Sequence, residues 1–433
     1  MISFGVSGVA GIAGVDITPE AALNVGRAVG RLHKNVTVSR DAGKSGLMIM
    51  NALTAGICSV GCEVTNIGIC PLPTSILSVG RGGCGVMVIS PQSSGGHMWV
   101  RMNNADGSSF SPKQMDGVRD IVTAGAPSVD GVPDPVGLIK KEGPRIDEHI
   151  TSVISSAGTA DCPVIIDCMN DASSLIAPRL LADMGADVKA MNSNIGMPLS
   201  GRPTELGRTN SDLIRHVRAS PGSIGIAFDG SGSRISVVDE SGRLLSGNTL
   251  ITLIASHLKA DSIAVPISTS MAVDEVVKGN VIRTRVGDNH LSEAMKKNGL
   301  PLGGEPSGTF IFGNSSFCPD GTHAAAVIAV IASEGSLRQA VDELPSYPVG
   351  NADIGIKGDK VDMAKRLDEK IASAGHGSLV TADGWRVGMP DGWYLIRISN
   401  FENKVRIVAE ARDRVYMNCL MDIAKDIVMS CMR

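Results

Sequence analysis

Residues 226–238 read I-A-F-D-G-S-G-S-R-I-S-V-V, two apolar runs around a small loop opened by Asp229 and closed by Arg234. The pattern predicts a strand-loop-strand hairpin with one carboxylate at its tip. Such loops carry chemistry well, because rigid strands fix the side chains while glycines let the backbone turn tightly. A loop reading D-G-D-x-D-R would converge three carboxylates on one hard cation. Here Ser231 and Ser233 leave a single one. Residues 85–90 form a second landmark, a continuous apolar run that opens into P-Q-S-S-G-G and has the form of a buried parallel strand. Loops at the carboxyl ends of such strands are where α/β folds place ligands. A third landmark, L-G-G-E-P-S-G at 302–308, sets Glu305 and Ser307 among glycines.

The surrounding elements divide the chain into four stretches. Residues 1–148 hold a glycine-rich opening, a helix over 19–33, a strand over 36–40, a loop over 41–46 and a second helix. After a Gly/Pro-rich patch at 125–137, residues 149–249 bring a strand over 164–169, a helix over 174–184, an irregular stretch over 192–208, and the hairpin. Residues 250–345 start with a helix, continue with a strand over 262–266 and a helix from Ser270, and end in an alanine-rich helix over 322–333. Prolines 345 and 348 introduce residues 346–433, which are more β-like, with D-G turns at 383–384 and 391–392, a strand over 404–411 and a helix over 414–429.

With 433 residues the chain is too long for one core; ~100–200 residues per domain gives two to four domains. A net charge of −4 argues against nucleic acid or an anionic membrane as a bulk partner, and 3% aromatic residues leave little for base stacking. Nine scattered cysteines with no C-x-x-C and no zinc spacing suit buried thiols in a reducing compartment. The N-terminus has no basic n-region, and the longest apolar run, 324–332, is about half a membrane span. A cytoplasmic location is the expectation.

At five landmarks, in order, the sequence resembles the α-D-phosphohexomutases, the superfamily of phosphomannomutase, phosphoglucomutase and phosphoglucosamine mutase. F-G-V-S-G-V-A-G at 4–11 is similar to the family opening F-G-T-S-G-I-R-G, and S-R-D-A-G-K-S-G at 39–46 to G-R-D-x-R-x-S. The hairpin resembles the metal loop D-G-D-x-D-R, G-G-E-P-S-G at 303–308 the sugar loop G-G-E-x-S-G-H, and R-I-S-N-F-E-N-K-V-R at 397–406 the phosphate loop R-x-S-G-T-E-P-x-x-R. The resemblance implies an α/β protein of four domains around a central cleft, three with mixed sheets plus a smaller C-terminal α+β domain. It also implies a phosphoserine that passes its phosphoryl group to a hexose phosphate and recovers one from the other end of the bisphosphate, with magnesium screening the transferred charge.

Onto these residues the resemblance carries roles, and several positions depart from it. Where the family has T-A-S-H-N-P, this chain has I-S-P-Q-S-S at 89–94, so the nucleophile position falls on Pro91; Ser90 and Ser93 are the neighbouring hydroxyls, with Arg101 in place of a family lysine and Arg40 retained. Ala10 replaces an arginine. Asp229 alone offers one charge to magnesium, which favours near-octahedral oxygens and carboxylates, so binding is expected to be weak or absent. Asp229 is instead expected to pair Arg234 or to cap the turn. Gly304, Glu305 and Ser307 form the sugar site, where a carboxylate accepts two vicinal hydroxyls, with Arg285 in support. Arg397, Ser399, Lys404 and Arg406 offer donors to a phosphate, and arginine forks suit it geometrically.

The expected function is that of a phosphohexomutase-family protein that binds a phosphorylated hexose or hexose bisphosphate, with phosphoryl transfer impaired or absent. The alternative is an active, divergent mutase with a rebuilt serine loop. Expected partners are the phosphosugar, a second copy of the chain or an active mutase, and neither nucleic acid nor membrane.

Overall fold

The computed structural model describes all residues except 1, 6, 92–94, 126–135, 199–210, 357, 375–376, 400–401 and 433. The chain forms two compact units, one of residues 1–247 with 307–342 and the other of residues 248–306 with 343–433. Among the described residues no helix is long and apolar enough to cross a membrane.

The first unit holds two sheets. In the seven-stranded one, Asn35–Arg40 runs parallel to both Glu63–Ile69 and Cys84–Ile89, while His97–Asn104 returns antiparallel to Cys84–Ile89. The apolar run read as a parallel strand is thus parallel on one edge and antiparallel on the other. Two helices, Pro19–Leu32 and Gly46–Cys58, supply the core that covers this sheet. The first starts sharply because Thr18 accepts the Ala21 N–H and a proline opens the first turn.

The second sheet has the order Ile235–Val238, Ile224–Phe228, Pro163–Asp167, Asp187–Met191. Ile224–Phe228 is buried at every position and pairs parallel with Pro163–Asp167 but antiparallel with Ile235–Val238. The predicted hairpin is therefore present, with residues 229–234 as its connection. Helix Gly321–Glu334, buried from Gly321 to Ile331, packs in the same unit, its first turn fixed by Asp320, which accepts the His323 N–H at 2.9 Å.

In the second unit, Ile263–Pro266 lies parallel to Val281–Thr284 and to Leu302–Glu305. A five-stranded antiparallel sheet follows, ordered Val349–Gly355, Lys404–Ala411, Gly392–Ile398, Trp385–Met389, Ser378–Val380. Helices Lys360–Ala374 and Arg414–Ser430 bury its core, built on residues such as Tyr394, Ile396 and Leu420.

Candidate active site

Asp41 follows Arg40 at the end of strand Asn35–Arg40 and is wholly buried. Its carboxylate accepts the Ser90 N–H at 2.6 Å, the Ser90 hydroxyl at 3.1 Å and the Gly43 N–H at 3.0 Å. Two adjacent strands thus end at one carboxylate. A Cβ at Gly43 would lie 1.9 Å from the Ser90 carbonyl oxygen, so the Asp41 loop presses directly on the strand end. Ser90 is 6% exposed and turned toward Asp41, while Pro91 is the next described residue and Ser93 lies outside the described residues. Arg40 donates to the Asp41 carbonyl at 2.8 Å, and Arg101, in strand His97–Asn104, donates to Asn103 and Ser109.

A second buried carboxylate faces the same region. Asp171 follows Met169 and Asn170, both in the left-handed conformation at φ 57° and 54°. For Met169 this costs roughly 1–2 kcal/mol, whereas asparagine adopts the conformation more readily. The turn is held by the Asn170 side chain, which accepts the Asn194 N–H and donates to the Met197 carbonyl. Asp171 accepts the N–H groups of Ala42, at 2.8 Å, and Ala172, at 2.7 Å. Burial pushes its carboxyl up to about 8, with the negative charge of Asp41 and then of Asp229 adding to the effect. Burial likewise pushes Asp41 up to about 6, against the pull of the Ser90 and Gly43 donors.

The hairpin loop meets Asp171 and Pro91. A Cβ at Gly230 would lie 2.7 Å from Asp171 Oδ2 and 3.5 Å from Pro91 Cβ. Asp229 accepts from the Ser231 hydroxyl (3.0 Å), the Ser233 hydroxyl (3.0 Å), the Ser233 N–H (2.8 Å) and the Arg234 N–H (3.2 Å). The two serine hydroxyls are 2.7 Å apart. Positions 229, 231 and 233 still converge on one point, but two of them bring donors. Of the two expectations for Asp229, the turn cap is what forms; the Arg234 guanidinium makes no bond among the described residues, because the main-chain and hydroxyl donors lie closer to the carboxylate.

In the second unit, Glu305 is 5% exposed and accepts the Gly287 N–H at 2.6 Å. Arg285 donates to the Ala382 carbonyl at 2.8 Å, and the Val286 N–H reaches Asp383 at 3.3 Å. Asp383 also pairs with Arg397 at 2.8 Å. The sugar-loop carboxylate and the phosphate-loop arginine are therefore tied through segment 285–287 and Asp383. Lys404 pairs with Asp353 at 2.7 Å and Glu402 at 3.0 Å, Arg406 pairs with Glu402 at 2.6 Å, and the Ser399 hydroxyl accepts the Glu402 N–H. Gly304 lies within strand Leu302–Glu305, and the Ser307 hydroxyl is 3.1 Å from that of Thr309. The boundary between the two units falls after Pro306, inside this loop.

Comparison with known proteins decides the family. Residues 1–128 match the model of phosphoglucomutase/phosphomannomutase, alpha/beta/alpha domain I, and residues 246–347 that of domain III. The chain is 34% identical over 435 residues to a probable phosphoglucosamine mutase of Methanocella arvoryzae, covering 100% of this chain and 99% of that one. The chain is a member of the α-D-phosphohexomutase superfamily. This phosphohexomutase shares its fold with a phosphoglucomutase/phosphomannomutase family protein of Burkholderia thailandensis, at TM-score 0.85 and 22% identity, covering 100% of this chain and 98% of the other. It also resembles, at TM-score 0.59 and 14% identity, the N-acetylphosphoglucosamine mutase of Aspergillus fumigatus solved with GlcNAc-6P and magnesium, covering 99% and 96%.

Sequence reasoning missed Asp41, Asp171 and Asp383. Asp41 stood in view inside S-R-D, and Asp383 inside a D-G turn. Asp171 carried one signal, its place in the N-D-A-S-S loop directly after a buried parallel strand.

Proposed function

We propose that this phosphohexomutase is an active, divergent mutase of phosphorylated glucosamine, with its serine loop rebuilt around Pro91. The observation that carries the reading is the full-length similarity to phosphoglucosamine mutases, joined by the chain of contacts from Glu305 through Gly287 and Asp383 to Arg397. In this reading Glu305 accepts sugar hydroxyls, Ser307 donates to one, and Gly304 allows close approach. Arg397, Ser399, Lys404 and Arg406 hold the phosphate that is not being transferred.

Ser93 is the nucleophile in this proposal, because the Ser90 hydroxyl is committed to Asp41. A phosphoryl group on the Ser93 oxygen passes to the anomeric hydroxyl of glucosamine 6-phosphate: the sugar O1–P bond forms as the Ser93 Oγ–P bond breaks, the anomeric proton leaves to a base or water, and the Ser93 oxygen takes up a proton. The bisphosphate turns over, and its other phosphoryl group returns to Ser93. Arg40 and Arg101 supply positive charge beside the transfer. Such chemistry rests on positioning and electrostatics.

The donor set of the 229–233 loop does not fit a magnesium ion. Magnesium calls for oxygen acceptors, whereas the Asp229 carboxylate already receives four hydrogen bonds from its own loop.

A second reading, phosphosugar binding without transfer, is favoured by Pro91 and by the hydroxyls at 231 and 233. One experiment separates them: conversion of glucosamine 6-phosphate by purified protein primed with a trace of the bisphosphate. Turnover that disappears in Ser93→Ala supports the mutase; absence of turnover together with thermal stabilisation by the phosphosugar supports binding alone.

A further inference from the structure

We propose that a cavity of about 350 Å³ in the second unit, lined by Arg386 and Trp393, binds a small oxyanion, a phosphate or a carboxylate, on the free donor edge of Arg386. None of its lining residues belongs to the sugar loop or to the phosphate loop. It is a site additional to the proposed active one.

Arg386 is 6% exposed, in strand Trp385–Met389. One end of its guanidinium, Nη1, donates to the carbonyls of Ile267 at 2.7 Å and Thr269 at 2.9 Å. The group is stacked 3.6 Å from the centroid of the Trp393 ring. Its Nε and Nη2 make no hydrogen bond, and no carboxylate pairs with it, among the described residues.

The other charges of the cavity are satisfied. Arg283 pairs with Asp274 at 2.5 Å and donates to the Thr269 carbonyl. Arg412 pairs with Glu275 at 3.1 Å and Asp391 at 3.2 Å. Glu410, buried beneath the cavity, accepts the Trp393 indole N–H at 2.6 Å and the Met271 N–H at 2.7 Å. Arg386 thus feels the charges of Asp274 and Glu410 but makes no direct ion pair among the described residues, and a buried charge without one is costly.

The Nε–Nη2 edge of a guanidinium presents two parallel N–H donors at the spacing of two oxygens of a carboxylate or phosphate. Stacking on Trp393 and anchoring of Nη1 hold that edge rigid, so little side-chain entropy is lost on binding. The cavity falls within the range of ~300–1,000 Å³ that small-ligand sites occupy. Burial, and then the nearby Arg283 charge, pull the Arg386 pKa well below its ordinary value, so an arriving anion would relieve an existing penalty.

The test uses the full chain labelled with ¹⁵N-tryptophan, titrated with inorganic phosphate in one arm and acetate in the other. Trp393 reports on the cavity; Trp385, whose indole donates to Asp368, and Trp99 serve as references. A saturable shift of the Trp393 indole resonance is expected in at least one arm, and the arm that saturates identifies the anion. Arg386→Lys, which keeps charge and stem but loses the fork, should weaken binding about tenfold, while Arg397→Gln in the phosphate loop should leave the Trp393 titration unchanged. A Trp393 resonance unmoved by either anion overturns the proposal. So does a titration unaffected by Arg386→Lys or abolished by Arg397→Gln. If Arg386→Lys does not fold, the wild-type and Arg397→Gln titrations still decide.

Discussion

Ser90 gives both its main-chain N–H and its hydroxyl to the carboxylate of Asp41, at 2.6 and 3.1 Å. Asp41 is the first residue after strand Asn35–Arg40, and Ser90 the first after its neighbour Cys84–Ile89. The pair fixes the end of strand Cys84–Ile89, from which the chain continues to Pro91. Replacing Asp41 with Ala leaves the Ser90 and Gly43 N–H groups buried without an acceptor, each costing about 1–3 kcal/mol. Urea unfolding of Asp41→Ala should show a lower midpoint at unchanged slope, and Asp41→Asn, which keeps an acceptor, should lose less. Equal losses in the two variants would mean that the hydrogen bonds are not what Asp41 contributes.

The same junction sets a steric limit. A Cβ at Gly43 would stand 1.9 Å from the Ser90 carbonyl oxygen and 2.3 Å from its hydroxyl oxygen. Neither strand end can yield without breaking the Asp41 contacts. Gly43→Ala should therefore destabilise the first unit by about 1–3 kcal/mol, as overpacking does, and lower any turnover with it. A melting temperature equal to wild type would show that the loop gives way freely.

Asp171 ties stability to pH. Its carboxyl is near 3.8 when unfolded and near 8 when folded, because burial and the charges of Asp41 and Asp229 oppose ionisation. Between those values the folded chain keeps a proton that the unfolded chain releases, so stability falls as pH rises. The contribution is whole below about pH 4 and lost as pH passes through 8. Asp171→Asn keeps an acceptor for Ala42 and Ala172 and removes the titration. Its melting temperature should overtake that of the wild type as pH rises from 5 to 9; parallel curves would show that Asp171 is ionised throughout.

Periodicity predicted the hairpin, several buried strands and helices such as Pro19–Leu32 and Gly321–Glu334, because apolar spacing is a local property, but not the helices Pro112–Thr123, Ile146–Ala157, Asp288–Asn298 and Lys360–Ala374. The five landmarks, likewise, carried the superfamily, since loop residues at the ends of buried strands keep their order along the chain. What was not legible was direction. Whether Asp229 would turn to Arg234 or to its own loop depended on Ser231 and Ser233 supplying nearer donors. That Asp171 would face Gly230 depended on two successive left-handed residues, Met169 and Asn170, of which only the asparagine is a residue that adopts this conformation readily. Asp383 looked like half of a D-G turn and became a bridge to Arg397 because it enters the hairpin in which Trp385 pairs with Ile396.

The hairpin loop offers a gain-of-function test. Positions 229, 231 and 233 converge, with hydroxyl oxygens 2.7 Å apart and each 3.0 Å from Asp229. Carboxylates at 231 and 233 would supply the charge that a magnesium ion favours. The double variant Ser231→Asp, Ser233→Asp should be less stable than wild type in EDTA, through repulsion with Asp229, and should be rescued by millimolar magnesium. Wild type should show no such magnesium-dependent stabilisation. Magnesium stabilising both to the same degree would mean that the wild-type loop rearranges to bind it.

Glu305 makes the last case, because its effect on binding separates from its effect on folding. Its carboxylate is anchored by the Gly287 N–H at 2.6 Å and stands in the strand that leads into the sugar loop. Glu305→Gln keeps an acceptor for Gly287, so the fold should be little changed. The charged acceptor for sugar hydroxyls is lost, and hydrogen bonds to a charged group are worth about 1.5–3 kcal/mol. Calorimetry with glucosamine 6-phosphate should therefore show affinity weakened by about tenfold to a hundredfold, with the melting temperature of the free protein held. An unchanged affinity would place the sugar away from Glu305, and with it the role of the whole G-G-E-P-S-G loop.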